Sequence, residues 1–290
     1  CDYVRYMDYL LRWDVNLVIF VEAAAAPLIA ELRNRTPALL EQRTVIHAVD
    51  PHDRGALLAY VDLLPEIRSA MDAHFVDHAR GGWKNGYGEH VYAEYAWINH
   101  AKIGMMKKAM ADDDFKSEFF FWADAGFGHY EAMDAGGFTP ALRPHFCPCT
   151  AALPKKVTMF CLGWTRERLR KDFGGLRGYV DGKGWLGAYS KEHTHWEACR
   201  GDMWGGGKAG VANYAAWYDE TFRDLLKQGI VDDDQPLMMA CAMDRPDLCR
   251  IHSGTFVNSR FDAAVTATPL TRWLASRYVV TQSPRTTMFC

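Results

Sequence analysis

The sequence predicts an α/β fold with a mostly parallel central sheet and an irregular second half. One observation is an unbroken aromatic run, Phe119 to Trp122, which is typical of a strand buried on both faces. Another is a strand–helix–strand succession between residues 17 and 49, which is typical of parallel strands. No internal repeat or linker is visible, so we expect a single domain over residues 1–290 with a large core.

Hydrophobic spacing defines the elements of the first half. Apolar residues near the start recur at helical spacing, and Pro27 stands in the favoured first turn of a helix. In chain order, the predicted elements are a helix over Tyr3–Leu11, a strand over Leu17–Phe20, a helix from Pro27 through Leu32, a strand over Thr44–Val49, an amphipathic helix over Leu57–Met71, a loop over His74–His90, a long helix over Val91–Met110 and the aromatic strand that ends at Asp124.

Regular patterning is weaker after residue 124. Prolines in Phe138–Pro154 and glycines in Gly174–Gly187 predict irregular backbone in these two segments. The other predicted elements are a strand over Val157–Leu162, a segment Cys199–Trp204 that leads into a glycine turn, a helix with Val211, Tyr214, Tyr218, Phe222 and Leu225 on one face, a helix over Leu237–Met243 and a closing helix over Thr268–Tyr278.

Composition argues against several classes of partner. The net charge is −3 and no basic stripe stands out, so we expect no nucleic acid partner. No stretch approaches the ~20 apolar residues of a membrane span, and no signal peptide is visible. The eight cysteines are too few for a disulfide-rich fold, and Cys147-Pro-Cys149 lacks zinc-finger spacing. We expect buried free thiols, with one or two disulfides only in an oxidising lumen.

Asp124 is the leading candidate ligand-binding residue. It stands where the aromatic strand ends, and the ligands of open α/β sheets collect at the carboxyl ends of strands. Gly126 and Gly128 would let a bound group approach the backbone closely. A carboxylate in this setting indicates a cation or phosphate site. The alternative is an Asp that caps a turn after a core strand.

Two further segments carry candidate chemistry. Gly205–Gly207 predict a strand-to-helix turn that either lets a ligand approach the backbone or is simply a tight turn. Asp232–Asp234 precede a helix, where acidic residues are stabilising without any function. Carboxylates forced close together also perturb one another, and one of them can become a general base.

The remaining candidates are isolated in the sequence. Lys102 lies on the long helix, and a lone lysine is usually solvated. His193 and His195 lie on one face of an extended segment, but two further zinc ligands are not apparent. The run Asp112–Asp114 is interpreted as a solvated helix end before the aromatic strand.

The order of these motifs resembles the HtrL/YibB family, proposed to be glycosyltransferases. The resemblance rests on Tyr92, Trp97 and Lys102 on a helix, followed by Phe121-Trp-Ala-Asp-Ala-Gly126 at a strand end. The flanking segments that match in order are Asn16–Val21, Glu31–Arg33, Arg43–Ile46, Asp202–Gly207, Asp233–Gln235 and Arg245–Leu248. The resemblance thus covers most of the chain from Tyr3 to about Phe256.

The resemblance implies a GT-A-like fold, which is a nucleotide-diphosphosugar-binding α/β sandwich. Residues 1–130 would form its donor-binding half and residues 131–290 its acceptor-side half. Such a domain opens with a strand that grips the nucleotide base, whereas this chain begins on the helix that should follow that strand. GT-A enzymes usually hold the metal with an Asp-x-Asp motif, and here Trp122 occupies the position of the first Asp.

The implied activity is transfer of a sugar from a nucleotide-diphosphosugar donor to a hydroxyl of a glycan or glycoconjugate. That reaction needs a cation at the leaving diphosphate, a carboxylate at the acceptor or the sugar centre, and close backbone approach. The implied roles are Mn²⁺ or Mg²⁺ binding by Asp124, catalysis by Asp233 or Asp234, and donor or acceptor contacts by Lys102, Trp122, Gly126, Trp204, Gly205, Gly206, Gly207 and Gln235.

Two other hypotheses stay open. The single-Asp motif and the missing first strand favour a non-catalytic carbohydrate-binding or scaffold protein that retains the fold. A metal-dependent hydrolase that uses His193 and His195 is the third hypothesis. The sequence suits a bacterial-type cytoplasmic enzyme and a Golgi-lumen enzyme equally.

Overall fold

The elements form a mixed α/β structure, seen in a computed structural model that describes residues 7, 10, 11, 15–35, 37–49, 59–79, 93–125, 155–161, 164–181, 198–252 and 286–289. The strands are β1 (Asn16–Glu22), β2 (Thr44–Val49), β3 (Phe119–Ala123), β4 (Val157–Cys161), β5 (Cys199–Gly207), β6 (Cys249–His252) and β7 (Thr286–Phe289). The α-helices are α1 (Ala26–Arg33), α2 (Pro37–Arg43), α3 (Leu64–Ala79), α4 (Ala93–Asp112), α5 (Arg166–Phe173), α6 (Gly175–Asp181), α7 (Lys208–Lys227) and α8 (Asp234–Asp244).

The strands form one sheet in the order β2-β1-β7-β3-β5-β4-β6. β2, β1, β7 and β3 pair in parallel, and β4 pairs in parallel with β6. β5 runs antiparallel to both of its neighbours, β3 and β4. The predicted α/β class is therefore confirmed, and the sheet is mixed.

A strand from the far end of the chain lies in the middle of this sheet. β7 pairs with β1 on one side, through Thr287 opposite Asn16, and with β3 on the other, through Thr287 opposite Phe120. The resemblance implied an opening strand before the first helix of this chain. In the described residues the parallel half of the sheet is continuous across β7.

The aromatic strand β3 is buried on both faces, as predicted. Phe120 and Trp122 belong to a core cluster that also holds residues of α3, α4, α7 and α8. Phe121 and Ala123 point into a second cluster with residues of β1 and α1. Helices therefore cover both faces of the sheet around the carboxyl end of β3.

Most elements predicted for the first half are confirmed. β1, α1, β2, α4 and β3 each contain most or all of the predicted segment. Met7, Leu10 and Leu11 are helical, in line with the predicted opening helix. The loop predicted from His74 is wrong at its start, because α3 continues to Ala79. Helix α2 is an addition that the spacing did not predict.

In the second half, the irregular segment predicted at Gly174–Gly187 is wrong at its start, because Gly175–Asp181 form helix α6. Gly174 ends α5 with a φ of 74°, a conformation that glycine adopts without strain, and the chain turns there into α6. Burial of Tyr179 against the core favours this helix despite its glycines.

The predicted turn at Gly205–Gly207 is also wrong, because these glycines lie within β5 and α7 begins directly at Lys208. A Cβ at Gly205 would lie 2.3 Å from the Phe120 carbonyl oxygen, and one at Gly206 would lie 2.3 Å from the Lys156 carbonyl oxygen. The glycines therefore allow close approach of the neighbouring chain segments. The buried face predicted for the following helix, Val211 to Leu225, is confirmed in α7.

Two disulfides join elements of the second half, so the expectation of free thiols is wrong for four cysteines. Cys161 at the end of β4 is bonded to Cys199 at the start of β5, and Cys241 of α8 is bonded to Cys249 of β6. Cys147-Pro-Cys149, the Phe138–Pro154 segment and the predicted closing helix Thr268–Tyr278 lie outside the described residues. None of the described helices combines the length and the hydropathy that crossing a membrane requires.

Candidate functional site

A buried lysine lies between two carboxylates at the carboxyl end of β3. The Lys102 ammonium donates to Asp124 Oδ2 and to Asp234 Oδ2, each at 3.0 Å. It also donates to the Gly201 carbonyl oxygen at 3.4 Å. We call Lys102, Asp124 and Asp234 the Lys102 cluster. It brings together three of the residues that the sequence analysis named.

Four elements place the cluster. Lys102 lies in the middle of α4, which packs on the face of the sheet that holds Trp122. Asp124 follows β3 directly, and its N–H donates to the Asp202 carbonyl oxygen of β5 at 2.9 Å. Because β5 is antiparallel to β3, the beginning of β5 reaches the end of β3 and supplies Gly201. Asp234 is the first residue of α8.

Asp124 is held by donors on both of its oxygens. The Trp122 indole N–H donates to Asp124 Oδ1, and Lys102 donates to Oδ2. Trp122 is buried, and Lys102 Nζ lies 6.0 Å from the centre of its ring. Trp122, which stands at the position of the first Asp in the expected motif, therefore orients the carboxylate that follows it.

Exposure differs sharply within the cluster. The side chains of Lys102 and Asp234 are 8% and 7% exposed, whereas that of Asp124 is 31% exposed. Asp124 is therefore the most accessible member of the cluster. Lys102 and Asp234 form its buried floor.

The electrostatics of the cluster follow from this burial. Burial disfavours the Lys102 ammonium, but the charges of Asp124 and Asp234 outweigh burial and raise the pKa of Lys102 above its ordinary value. Burial raises the pKa of Asp234 to about 7, with Lys102 opposing the shift and Asp233 and Asp124 adding to it. Lys102 is thus charged at neutral pH, while Asp234 titrates near neutrality.

The other two residues of the acidic run have structural partners. Asp233 is the N-cap of α8, and its Oδ1 accepts from the Gln235 N–H at 2.9 Å. Asp232 Oδ1 accepts from the Asp233 N–H at 2.9 Å. The carbonyl oxygen of Asp232 bonds to His100 Nε2 at 2.8 Å. The position of Asp233 is therefore explained by helix capping, a role that stabilises α8 without any catalytic function.

His100 supports the same region from α4. Its Nδ1 bonds to the Tyr218 hydroxyl at 2.7 Å, and its ring stacks on Phe222 with centroids 3.9 Å apart. Burial lowers the pKa of His100 to about 4. A neutral imidazole therefore links α4, α7 and the segment before α8.

The remaining predicted site residues are not members of the Lys102 cluster. Trp204 is 1% exposed and packs edge-on against Tyr214, so it lies in the core. Gly205, Gly206 and Gly207 are strand residues packed against neighbouring backbone or capping α7. Gln235 follows Asp234 and lies against Gly201. Gly126, His193 and His195 lie outside the described residues.

Sequence reasoning missed Gly201. A Cβ there would lie 2.9 Å from Gln235 Cγ and 3.1 Å from Asp234 Oδ1, so a larger residue would displace these two side chains. Its carbonyl oxygen is also the third acceptor of Lys102. An isolated glycine in a strand pattern is a recognised signal of close approach, and Cys199–Trp204 contains one.

The cluster can accept a hard divalent cation at one ligand. A carboxylate has about four lone-pair sites, and Lys102 and Trp122 use two of those on Asp124. Mg²⁺ is usually held by one or two carboxylates together with substrate phosphates. The partly exposed Asp124 fits that pattern, while Asp234 has its Oδ2 on Lys102.

Comparison with protein families gives one match. Residues 2–142, just under half of the chain, match the model of a family described as a bacterial protein of unknown function (HtrL_YibB). The match includes Lys102, Trp122 and Asp124, whereas Asp202–Gly207, Asp233–Gln235 and Arg245–Leu248 lie beyond it. The family description assigns no activity. No curated protein and no solved structure matches the chain.

Proposed function

We propose that the protein is a metal-dependent glycosyltransferase with a GT-A-like fold. It would move a sugar from a nucleotide-diphosphosugar to a hydroxyl of a glycan or glycoconjugate. The observation that carries the proposal is the Lys102 cluster, a charged lysine and a partly exposed carboxylate at the end of a central strand. Ligands of α/β sheets bind at such strand ends.

The cluster offers what a leaving diphosphate requires. Asp124 is the expected ligand of Mn²⁺ or Mg²⁺, and a bound ion of this kind supplies positive charge that stabilises the departing diphosphate. Trp122 and Lys102 hold the Asp124 carboxylate in one orientation. Fixed orientation of charged groups is the main protein contribution to this type of catalysis.

Asp234 is the better candidate for the catalytic carboxylate. Its pKa of about 7 lies near the working pH, which is the condition for an efficient general base. Asp233 has an oxygen committed to the N-terminus of α8. Gln235 is adjacent to the cluster and partly exposed, and it would contact a sugar hydroxyl.

A second candidate function has its own supporting observation. Lys102 pairs with both Asp124 and Asp234, so the cluster is also an ion-pair network that holds its members in place without a ligand. A non-catalytic carbohydrate-binding or scaffold protein would have such a network.

Turnover of nucleotide sugars tests the proposal. We expect hydrolysis or transfer with a UDP- or GDP-sugar in the presence of Mn²⁺ or Mg²⁺, and its loss in Asp124→Asn with little change in Tm. Asp172→Asn is the matched control, since Asp172 is another partly exposed aspartate next to a single cation, Arg168. Glycan binding without nucleotide binding in the wild type would support the binding protein instead.

A further inference from the structure

The geometry points to a second cation site. We infer that His47, Asp112 and Asp114 bind a divalent transition-metal ion such as Zn²⁺. This site is separate from the Lys102 cluster and does not depend on the proposed function. It joins β2, which lies at one edge of the described sheet, to the end of α4 and the segment before β3.

Distances within this trio suit a single ion. One ligand atom from each residue can be chosen so that all lie within 4.8 Å of one another. His47 Nε2 and Asp112 Oδ2 are 3.7 Å apart. Two ligands at the usual Zn²⁺ distances of roughly 2.0–2.2 Å in a tetrahedral arrangement are separated by about 3.3–3.6 Å. Small side-chain rotations would bring the three atoms to that spacing.

His47 supplies an independent indication. Its Nε2 is buried and makes no hydrogen bond, although the rest of the side chain is partly exposed. A buried polar atom without a partner is costly and is commonly satisfied by an ion or water. The His47 ring stacks on Phe20 with centroids 4.9 Å apart and planes 17° apart, which fixes the direction of Nε2.

The donor set selects the kind of ion. One imidazole with two carboxylates suits zinc and other first-row transition metals better than Ca²⁺ or Mg²⁺, which prefer oxygen ligands only. Asp112 Oδ2 already faces a cation, because the Lys108 ammonium lies 2.8 Å away. Lys108 is about one-third exposed and can turn into solvent when an ion binds. Among the described residues no other group of three such ligands meets the same distances.

The test is calorimetric titration of chelator-treated protein with Zn²⁺ alone and with Mn²⁺ alone. We expect one Zn²⁺ per chain, a rise in Tm on binding, and a Kd weakened by more than roughly tenfold in His47→Ala and in Asp114→Asn. Asp114 is exposed, so the second variant keeps the test valid if the first fails to fold.

Two controls separate this site from others. His252→Ala removes another partly buried histidine on an edge strand and should leave Zn²⁺ binding unchanged. Asp124→Asn should also leave it unchanged, because that residue belongs to the Lys102 cluster. The inference is overturned if the wild type binds no stoichiometric Zn²⁺, or if His47→Ala and Asp114→Asn both bind it as the wild type does. Loss of Zn²⁺ binding in Asp124→Asn alone would overturn it as well.

Discussion

At the scale of single residues, Lys102 is the structural centre of the candidate site. Its ammonium forms ion pairs of 3.0 Å with both Asp124 and Asp234. A buried ion pair contributes modestly to stability when intact, but removal of one partner leaves the other charge buried and uncompensated. Lys102 therefore has a structural role whatever the protein binds.

We expect Lys102→Met to lower the free energy of unfolding by about 3–5 kcal/mol, because Asp234 would lose its buried partner. Lys227→Met is the matched control: Lys227 pairs with Asp224 at an exposed position, where such a pair contributes about 1 kcal/mol or less. Urea unfolding of both variants measures the difference. Equal losses in the two variants would show that the Lys102 cluster is not energetically special.

The pKa of Asp234 predicts a pH dependence of stability. A carboxyl group whose pKa rises from about 3.8 unfolded to about 7 folded binds more protons in the folded state over that interval. Its effect therefore makes stability fall as the pH rises from 4 to 7. His100 acts in the opposite direction, because its lowered pKa makes stability rise between pH 4 and about 6.5.

We expect Asp234→Asn to remove the fall in stability that Asp234 causes and to leave the rise that His100 causes. The stability of the variant relative to the wild type should increase between pH 4 and pH 8, measured by urea unfolding at each pH. A difference that stays constant with pH would mean that Asp234 is ionised throughout, with Lys102 dominating over burial.

At the scale of elements, the sequence predicted the strands correctly where a continuous run of apolar residues marks them. The β-branched segment Thr44–Val49 and the aromatic segment Phe119–Ala123 are strands with the expected bounds or nearly so. Glycine-rich segments were mispredicted, because glycine indicates either a turn or close packing and only the neighbours decide which. Gly175–Asp181 and Gly205–Gly207 are the two cases.

We expect Gly206→Ala to destabilise the protein by about 3 kcal/mol or more, because the new Cβ would lie 2.3 Å from the Lys156 carbonyl oxygen. Gly229→Ala is the control. Nothing lies within 4 Å of a Cβ there, and only its φ of 74° is unfavourable, at about 1–2 kcal/mol. Thermal unfolding compares the two, and a smaller loss in Gly206→Ala than in Gly229→Ala would contradict the packing role.

The disulfides illustrate another limit of local patterns. Cys161 and Cys199 are 38 residues apart but face each other across the antiparallel pair β4–β5. Cysteine spacing alone does not determine connectivity, since eight cysteines allow many pairings. Both bonds tie elements next to the candidate site, one at the start of β5 and one in α8.

At the scale of the whole molecule, contacts between distant parts of the chain bring the site residues together, and local sequence patterns do not predict such contacts. Lys102 and Asp234 are 132 positions apart, and β7 comes from the far end of the chain to lie beside β1. Asp124 and Asp234 were recognisable by their type and by their place at a strand or helix end, whereas Lys102 lies in the middle of α4. Which of them meet, and that a lysine would stand between two carboxylates, depends on the packing of four elements.

We propose that Asp124, held by Trp122 and Lys102, binds a nucleotide-diphosphosugar together with a divalent ion. The most direct measurement is thermal unfolding of the wild type and Asp124→Asn with UDP- and GDP-sugars, each with and without Mn²⁺. We predict that one donor stabilises the wild type only with Mn²⁺, by about 2.7 kcal/mol at 100 times its Kd, and leaves Asp124→Asn unchanged. Equal stabilisation of both proteins, or none of the wild type by any of these donors, would contradict the account.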